Sequence, residues 1–472
     1  ADADGGDGTW NTALTNWDTA ATGGADSVWT NANNDTAVFG GTAGTVSLGA
    51  GIQVGGLQFD TAGYLVQTNT LTFGTSGDIV TNADATINST IGATTGLTIT
   101  KTGSGTLTLG GNNTYAGNTT VSVGTLKAGN TTAFSANSVY SVAASAFLDL
   151  GGFNNTIKSL STATGTITNS TGSATLTISS MASTAQLFTG SLALKWNGPQ
   201  GASTMLTNSA NTFSGGITVG GANSRFLLGN TTIGAGSPGA LTSGIWGTGA
   251  LTLGVNAGDH AQILFTGAAT INNAIVVNSA FGNTDAAGTF RVDSTGNVFN
   301  GTLTANLANA TFRNNGGTGA VTVNGAISGA SGLMLSASAG SGLTITLANT
   351  GTANSYAGDT TISSVKETLT LGAANQIPNS TGKGNLIVAG GTFKMGGFSE
   401  TINGLSGTGT VDGVSGSPTL TVGDNDATGA ANTFSGVIKN TAGTLALTKT
   451  GSGTLTLSGN NTSSGPTNIT GG

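Results

Sequence analysis

The chain has 472 residues, of which 81 are glycine and only 7% are charged; ordinary domains hold roughly 7% glycine and about 25% charged residues. The net charge is −7 and there is no cysteine, which excludes disulfide staples and thiolate metal sites. No basic patch is available to meet a phosphate backbone, so nucleic-acid binding is not expected.

The charge is spread unevenly. Residues 1–100 carry nine Asp and no Lys or Arg, residues 101–340 carry seven basic and four acidic groups, and residues 341–472 carry five and six. The first residues, ADADGGDG, lack the charged and apolar regions of a signal peptide. They read as the start of a mature, exported chain, so an extracellular or cell-surface location is expected. No apolar run reaches 18 residues, so no membrane helix is expected. Residues 1–40 differ from the rest of the chain. Trp10, Trp17 and Trp29 stand here, followed by Phe39. A stack of repeats leaves its first coil with an uncovered apolar end, and an aromatic-rich head of this kind predicts an N-terminal cap.

From Thr42 onward the chain reads as short strands broken by Gly and Asn. The clearest stretch is Gly96–Gly129. Leu97-Thr98-Ile99, Thr106-Leu107-Thr108-Leu109 and Thr119-Thr120-Val121-Ser122-Val123 alternate apolar and polar residues, which is strand spacing. The turn sequences TGSG, GGNN and AGN lie between them. KTGSGTLTL at Lys101–Leu109 recurs letter for letter at Lys449–Leu457. Asn113-Thr114-Tyr115-Ala116-Gly117 returns as Asn354-Ser355-Tyr356-Ala357-Gly358, and Leu148–Phe153 returns as Phe393–Phe398. These pairs define a large repeat of roughly 240 residues with small length changes at turns. In weaker copies Phe213 and Phe434 replace the tyrosine, which predicts that the buried ring stacks between coils and matters more than its hydroxyl.

Short Gly-punctuated strands with no hairpin signal predict an all-β fold, a right-handed parallel β-helix (β-solenoid) with an aromatic-rich N-terminal cap. At roughly 20–25 residues per coil, about 20 coils are expected, with Thr and Asn forming hydrogen-bonded ladders at equivalent turns. The expected divisions are the cap at residues 1–40, a first β-helix module at 41–340, and a second at 341–472. The second module reads as lacking its last strand, because nothing matches GTLKAG (residues 124–129) after Gly472. An antiparallel sandwich array is the competing fold.

Leu97, Lys101, Gly103, Gly105, Leu107, Leu109, Gly111, Asn112, Tyr115, Gly117, Thr119, Val121, Gly124, Leu126 and Gly129 resemble the autotransporter-associated β-strand repeat, also called the passenger-associated transport repeat. The copy from Gly443 departs from it at Ser463, in the place of Tyr115, and at Pro466, in the place of Asn118. The resemblance implies an exported bacterial β-helical passenger and specifies no ligand. Nothing here fits the membrane barrel such proteins carry, so the barrel is expected to be cleaved or absent, or export to use another route.

Chemistry-bearing residues are sparse. His260 is the lone histidine; its neighbour Asp259 leaves a strand on the opposite face, and no triad or metal partners are identifiable. Asp2, Asp4 and Asp7, and Asp424 and Asp426, lack the full spacing of a calcium loop. No catalytic, cofactor-binding or metal residue is therefore assigned. Residues 195–210 and 255–300 are the least regular, with Trp196 inside them and Trp246 nearby. Exposed aromatics there would favour an adhesin that binds glycans or surfaces. The favoured expectation is a structural rod that associates with itself head to tail through its end coils, into a filament or matrix. A polysaccharide-acting β-helix enzyme is the third possibility, and needs converging acids.

Overall fold

A computed structural model describes residues 5–18, 25–92, 96–180, 184–196, 206–220, 225–228, 231–255, 259, 261–279, 289–423 and 432–472. His260, Asp2, Asp4, Asp424 and Asp426 lie outside these residues. The chain is all-β, a β-solenoid of about 18 stacked parallel coils. The count falls below the expected 20 because some coils run long. One coil step takes 20 residues from Ile99 to Thr119 and 27 from Ile263 to Phe290.

The described residues fall into two compact units. The first holds Ala1–Gly198, Thr204–Ile217 and Ser243–Gly249; the second holds Pro199–Ser203, Thr218–Thr242 and Ala250–Gly472. In the first unit the strands are β1 (Gly8–Trp10), β2 (Thr15–Asp18), β3 (Asp26–Val28), β4 (Thr36–Phe39), β5 (Thr45–Leu48), β6 (Ile52–Phe59), β7 (Tyr64–Thr68), β8 (Leu71–Thr81), β9 (Ala85–Ile87), β10 (Ile99–Thr102), β11 (Thr106–Leu109), β12 (Thr119–Val121), β13 (Gly124–Ala128), β14 (Val139–Val142) and β15 (Ala146–Asp149). One sheet runs β1-β5-β7-β9-β11-β13-β15, and a second runs β14-β12-β10-β8-β6-β4. Neighbours along each are parallel, as β11 is to β13 and β10 to β12.

Burial alternates along the strands as the sequence pattern requires. Leu107 and Leu109 of β11 are buried while Thr106 and Thr108 are half-exposed. Each inward side chain stacks on its counterpart in the adjacent coil, so the core consists of columns such as Leu107 on Leu126 and Leu148. The second unit obeys the same rule, with Leu343, Ile345 and Leu347 stacked on the strand Glu367–Leu371. No single strand of three to six residues could bury such a face alone, so each coil depends on its neighbours.

The N-terminal head is the aromatic cap. β2 and β3 pair antiparallel, unlike the parallel strands of the coils. Trp10 lies 4.7 Å from Trp17 and 4.9 Å from Trp29 between ring centres, and both Trp10 and Trp17 meet Phe39. Phe39 stacks on Phe59 at 4.8 Å. The cluster covers the end where β1 and β4 are the edge strands of the two sheets.

Polar ladders run between coils of the second unit. Asn300 Nδ2 donates to Asn272 Oδ1 at 2.8 Å, and Asn324 Nδ2 donates to Asn300 Oδ1 at 2.9 Å. Asn306 donates to Asn278 at 3.1 Å in the same way. Neutral amides thus satisfy one another along the stack without the cost of desolvating a charge.

Candidate functional site

Three kinds of buried polar device tie the coils together. The first is the asparagine that opens the repeated aromatic motif. Asn113 accepts the Ile91 N–H of one coil at 2.8 Å and donates to the Ala133 carbonyl of another at 2.7 Å. Asn354 repeats this with Ile327 and Gln376, and Asn211 with Phe188 and Ile245. Each side chain bridges the turns before and after its own, where an unpaired backbone group would be costly.

The second device is the aromatic two residues on. Tyr115 and Tyr356 are buried, yet no ring pair among the described residues includes either one. Their hydroxyls carry the bonds. Tyr115 Oη lies 2.9 Å from Thr119 Oγ1, which lies 2.7 Å from Ser138 Oγ; Tyr356 Oη lies 2.6 Å from Thr360 Oγ1. Where the aromatic is Phe213 or Phe434, the residue four positions on is Ile217 or Ile438. Hydroxyl and partner change together: the tyrosine copies bond through the hydroxyl, while Phe213 meets the Phe188 ring of the adjacent coil at 6.0 Å, the ring contact expected from sequence. Replacing Tyr115 by Phe should cost about 1–2 kcal/mol. The double change Tyr115→Phe with Thr119→Ile, which copies the Phe213–Ile217 pair, should recover part of that loss. A double-mutant cycle by urea denaturation measures the coupling, and simple additivity would refute the pairing.

The third device is the lysine of KTGSG. Lys101 occupies an inward position between Ile79 and Val121 of the neighbouring coils and is 0% exposed. Its ammonium donates to the carbonyls of Gly103 at 2.6 Å, Gly105 at 2.7 Å, Val123 at 3.0 Å and Thr102 at 3.1 Å. The turn can fold around it because Gly103 and Gly124 have φ of +75° and +70°. A Cβ on Gly124 would lie 2.6 Å from the Lys101 nitrogen, so the glycines of the motif make room for the cation. Burial pulls the Lys101 pKa down to about 8, with the Asp84 carboxylate opposing the shift. Lys449 takes the same place between Val422 and Ile469 and donates to the Thr450 and Gly451 carbonyls.

The remaining charged interior is also committed to backbone. Glu367 accepts the Ser363 and Ser364 N–H groups at 2.7 and 3.0 Å. Glu400 stands where the first copy has Asn155. It accepts the Gln376 N–H at 2.8 Å and the Ile377 N–H at 3.2 Å, and burial pushes its carboxyl up to about 7.

Of the residues singled out from sequence, Asp7 accepts the Thr45 N–H at 2.6 Å. Asp259 accepts the Val255 N–H at 2.6 Å. Trp196 and Trp246 are each 2% exposed, so neither offers the open aromatic platform considered for an adhesin. Trp196 shares the inward parity of Leu192 and Leu194 on its strand, and the apolar core takes its ring. Among the described residues no three His, Cys, Asp or Glu side chains group closely enough to hold a metal ion. No described helix is long and apolar enough to cross a membrane.

Outside, the coils present rows of short polar groups. Across β7, β9, β11 and β13 one outward row reads Leu65, Thr86, Thr108, Lys127. An open cavity of about 540 Å³ lies on this row, lined also by Asp84, Asn88 and Thr106.

The comparisons agree with this architecture. The Passenger-associated-transport-repeat family matches residues 99–128 and 447–472, the segments built around Lys101 and Lys449. The Adhesin BmaC autotransporter of Brucella suis biovar 1 (strain 1330) is 46% identical over 136 residues. That alignment takes in 28% of this chain and 4% of the adhesin, so the chain spans a small part of its relative's length. No solved structure matches. Residues 99–128 and 447–472 thus match the passenger-associated transport repeat within a β-solenoid, and over 136 residues the chain is similar to an autotransporter adhesin.

Proposed function

We propose that the chain is a segment of a non-catalytic, surface-displayed passenger that mediates attachment. The observation that carries this reading is the 46% identity to an autotransporter adhesin over 136 residues, within a solenoid whose described buried acids and lysines engage backbone. Such a scaffold holds its outward rows at fixed spacing, which suits repeated weak contact with a surface. An extracellular location follows from the same reading.

The test is to display residues 1–472 on a non-adherent bacterium through an unrelated anchor. Attachment to epithelial cells or to immobilised glycans should rise several-fold over cells bearing the anchor alone. Equal attachment would overturn the proposal.

A further inference from the structure

We propose that the cavity over β7, β9, β11 and β13 is a binding site for a short, neutral pyranose oligosaccharide. This rests on the attachment reading and adds a location and a ligand class.

The cavity arises from side-chain length along one row. Leu65, Thr86, Thr108 and Lys127 stand on consecutive coils with their Cα atoms paired in register. Two short threonines between two longer side chains leave a trough whose walls are Leu65 and Lys127. Those walls are three coil steps apart, roughly 14 Å at the spacing of paired strands. The trough is shallow and open to solvent, so a ligand would lie along its floor and keep its outer face in water.

The floor is polar. Thr86 and Thr108 stand at its centre, with Thr106 and Asp84 toward one side and Asn88 toward the other. Among the described residues, the hydroxyls of Thr86, Thr106 and Thr108 and the amide of Asn88 make no hydrogen bond to other groups of the chain. One Asp84 oxygen accepts the Thr106 N–H at 2.6 Å; the other is left for a ligand. Lys127 lies 3.8 Å from Asp149 with its side chain 34% exposed, so most of its donor capacity remains. These groups are hydroxyls, an amide, one carboxylate and one ammonium, which together both donate and accept.

That set favours a sugar over other occupants. A peptide added as a strand needs a free sheet edge, and β9 and β11 are paired on both sides. A strongly anionic ligand would face Asp84 at the rim, and Asp149 already takes part of the Lys127 charge. A flat apolar ligand finds only Leu65. A pyranose presents hydroxyls in both senses and a C–H face suited to the leucine wall. Phe147, 43% exposed, stands one coil beyond the Lys127 end, beside Thr125, and offers a second apolar face there for a longer chain.

The experiment is a glycan array probed with the purified chain, followed by calorimetry with the best-bound trisaccharide; cellotriose, chitotriose and maltotriose are included whatever the array gives. Thr86→Val with Thr108→Val removes both hydroxyls while keeping strand-forming shape, and should weaken binding roughly tenfold or more. Thr108→Lys should abolish binding by filling the trough. Val139→Thr, on the other sheet, should leave affinity unchanged, and circular dichroism checks that each variant folds. No glycan bound, or binding indifferent to the trough variants, overturns the site. Surface attachment that persists without glycan binding removes the site and leaves the attachment reading standing. Glycan binding without attachment does the reverse.

Discussion

Replacing Lys101 by Met should destabilise the coils around it by on the order of 3 kcal/mol. Four carbonyls, those of Thr102, Gly103, Gly105 and Val123, lose their donor together, and three of them belong to a turn folded around the ammonium. Methionine matches the length of the stem and would pack between Ile79 and Val121, so the loss reports the orphaned carbonyls rather than a cavity. Arginine should not rescue the variant, because a planar guanidinium does not fit a space closed by Gly124. Because a solenoid couples mainly nearest neighbours, the damage should be local. Hydrogen exchange should show lost protection across residues 96–129, with the second unit unchanged. Lys449→Met, which frees the Thr450 and Gly451 carbonyls, should cost less. Unchanged protection around residue 101 would show that solvent serves those carbonyls equally well.

Glu400 should make the second unit less stable as pH rises through the weakly acidic range. The unfolded chain releases this proton near the ordinary value of 4.5, and burial in the folded chain holds it to about 7. Between those limits the folded state binds more protons than the unfolded state, so stability falls with rising pH, by on the order of 3 kcal/mol in full. The contribution is complete below 4.5 and gone above 7. The backbone N–H groups of Gln376, Ile377 and Thr401 work against the shift. The other titratable group coupled to it is Tyr356, whose phenol the Glu400 charge helps push upward. Urea midpoints of the second unit at pH 5 and pH 8 should differ for the native chain and converge for Glu400→Gln. A native chain with equal midpoints would remove the claim. The first copy has no such window, because Asn155 stands in the equivalent place and does not titrate.

The fold was legible because a solenoid repeats its instructions. Period-two alternation marked the strands, and Gly and Asn marked the turns. The Trp10, Trp17, Trp29 and Phe39 group announced a head of different construction. The asparagine ladders followed from amides recurring at equivalent turns. Other features were legible only at a finer grain. Lys101 shares the parity of Ile99 and lies on the inward face, but a charged residue among threonines is easily assigned to solvent. The same parity places Trp196 inside with Leu192 and Leu194. The link between Tyr115 and Thr119 was visible as Tyr with Thr in two copies and Phe with Ile in two others. The outward trough was not legible, since it depends on which coil stands beside which, and coil lengths vary.

The buried lysines also bear on endurance outside the fold. A protease of trypsin's specificity cuts after Lys or Arg, and this chain offers 12 such residues in 472. Lys101 is wholly enclosed, and Lys449 is only 6% exposed. Cutting at Lys101 would first require its coil to open, against four carbonyl bonds. The turn that holds the stack together thus also hides a cleavage point, and residues 1–126, where Lys101 is the sole Lys or Arg, offer such an enzyme no exposed place to begin.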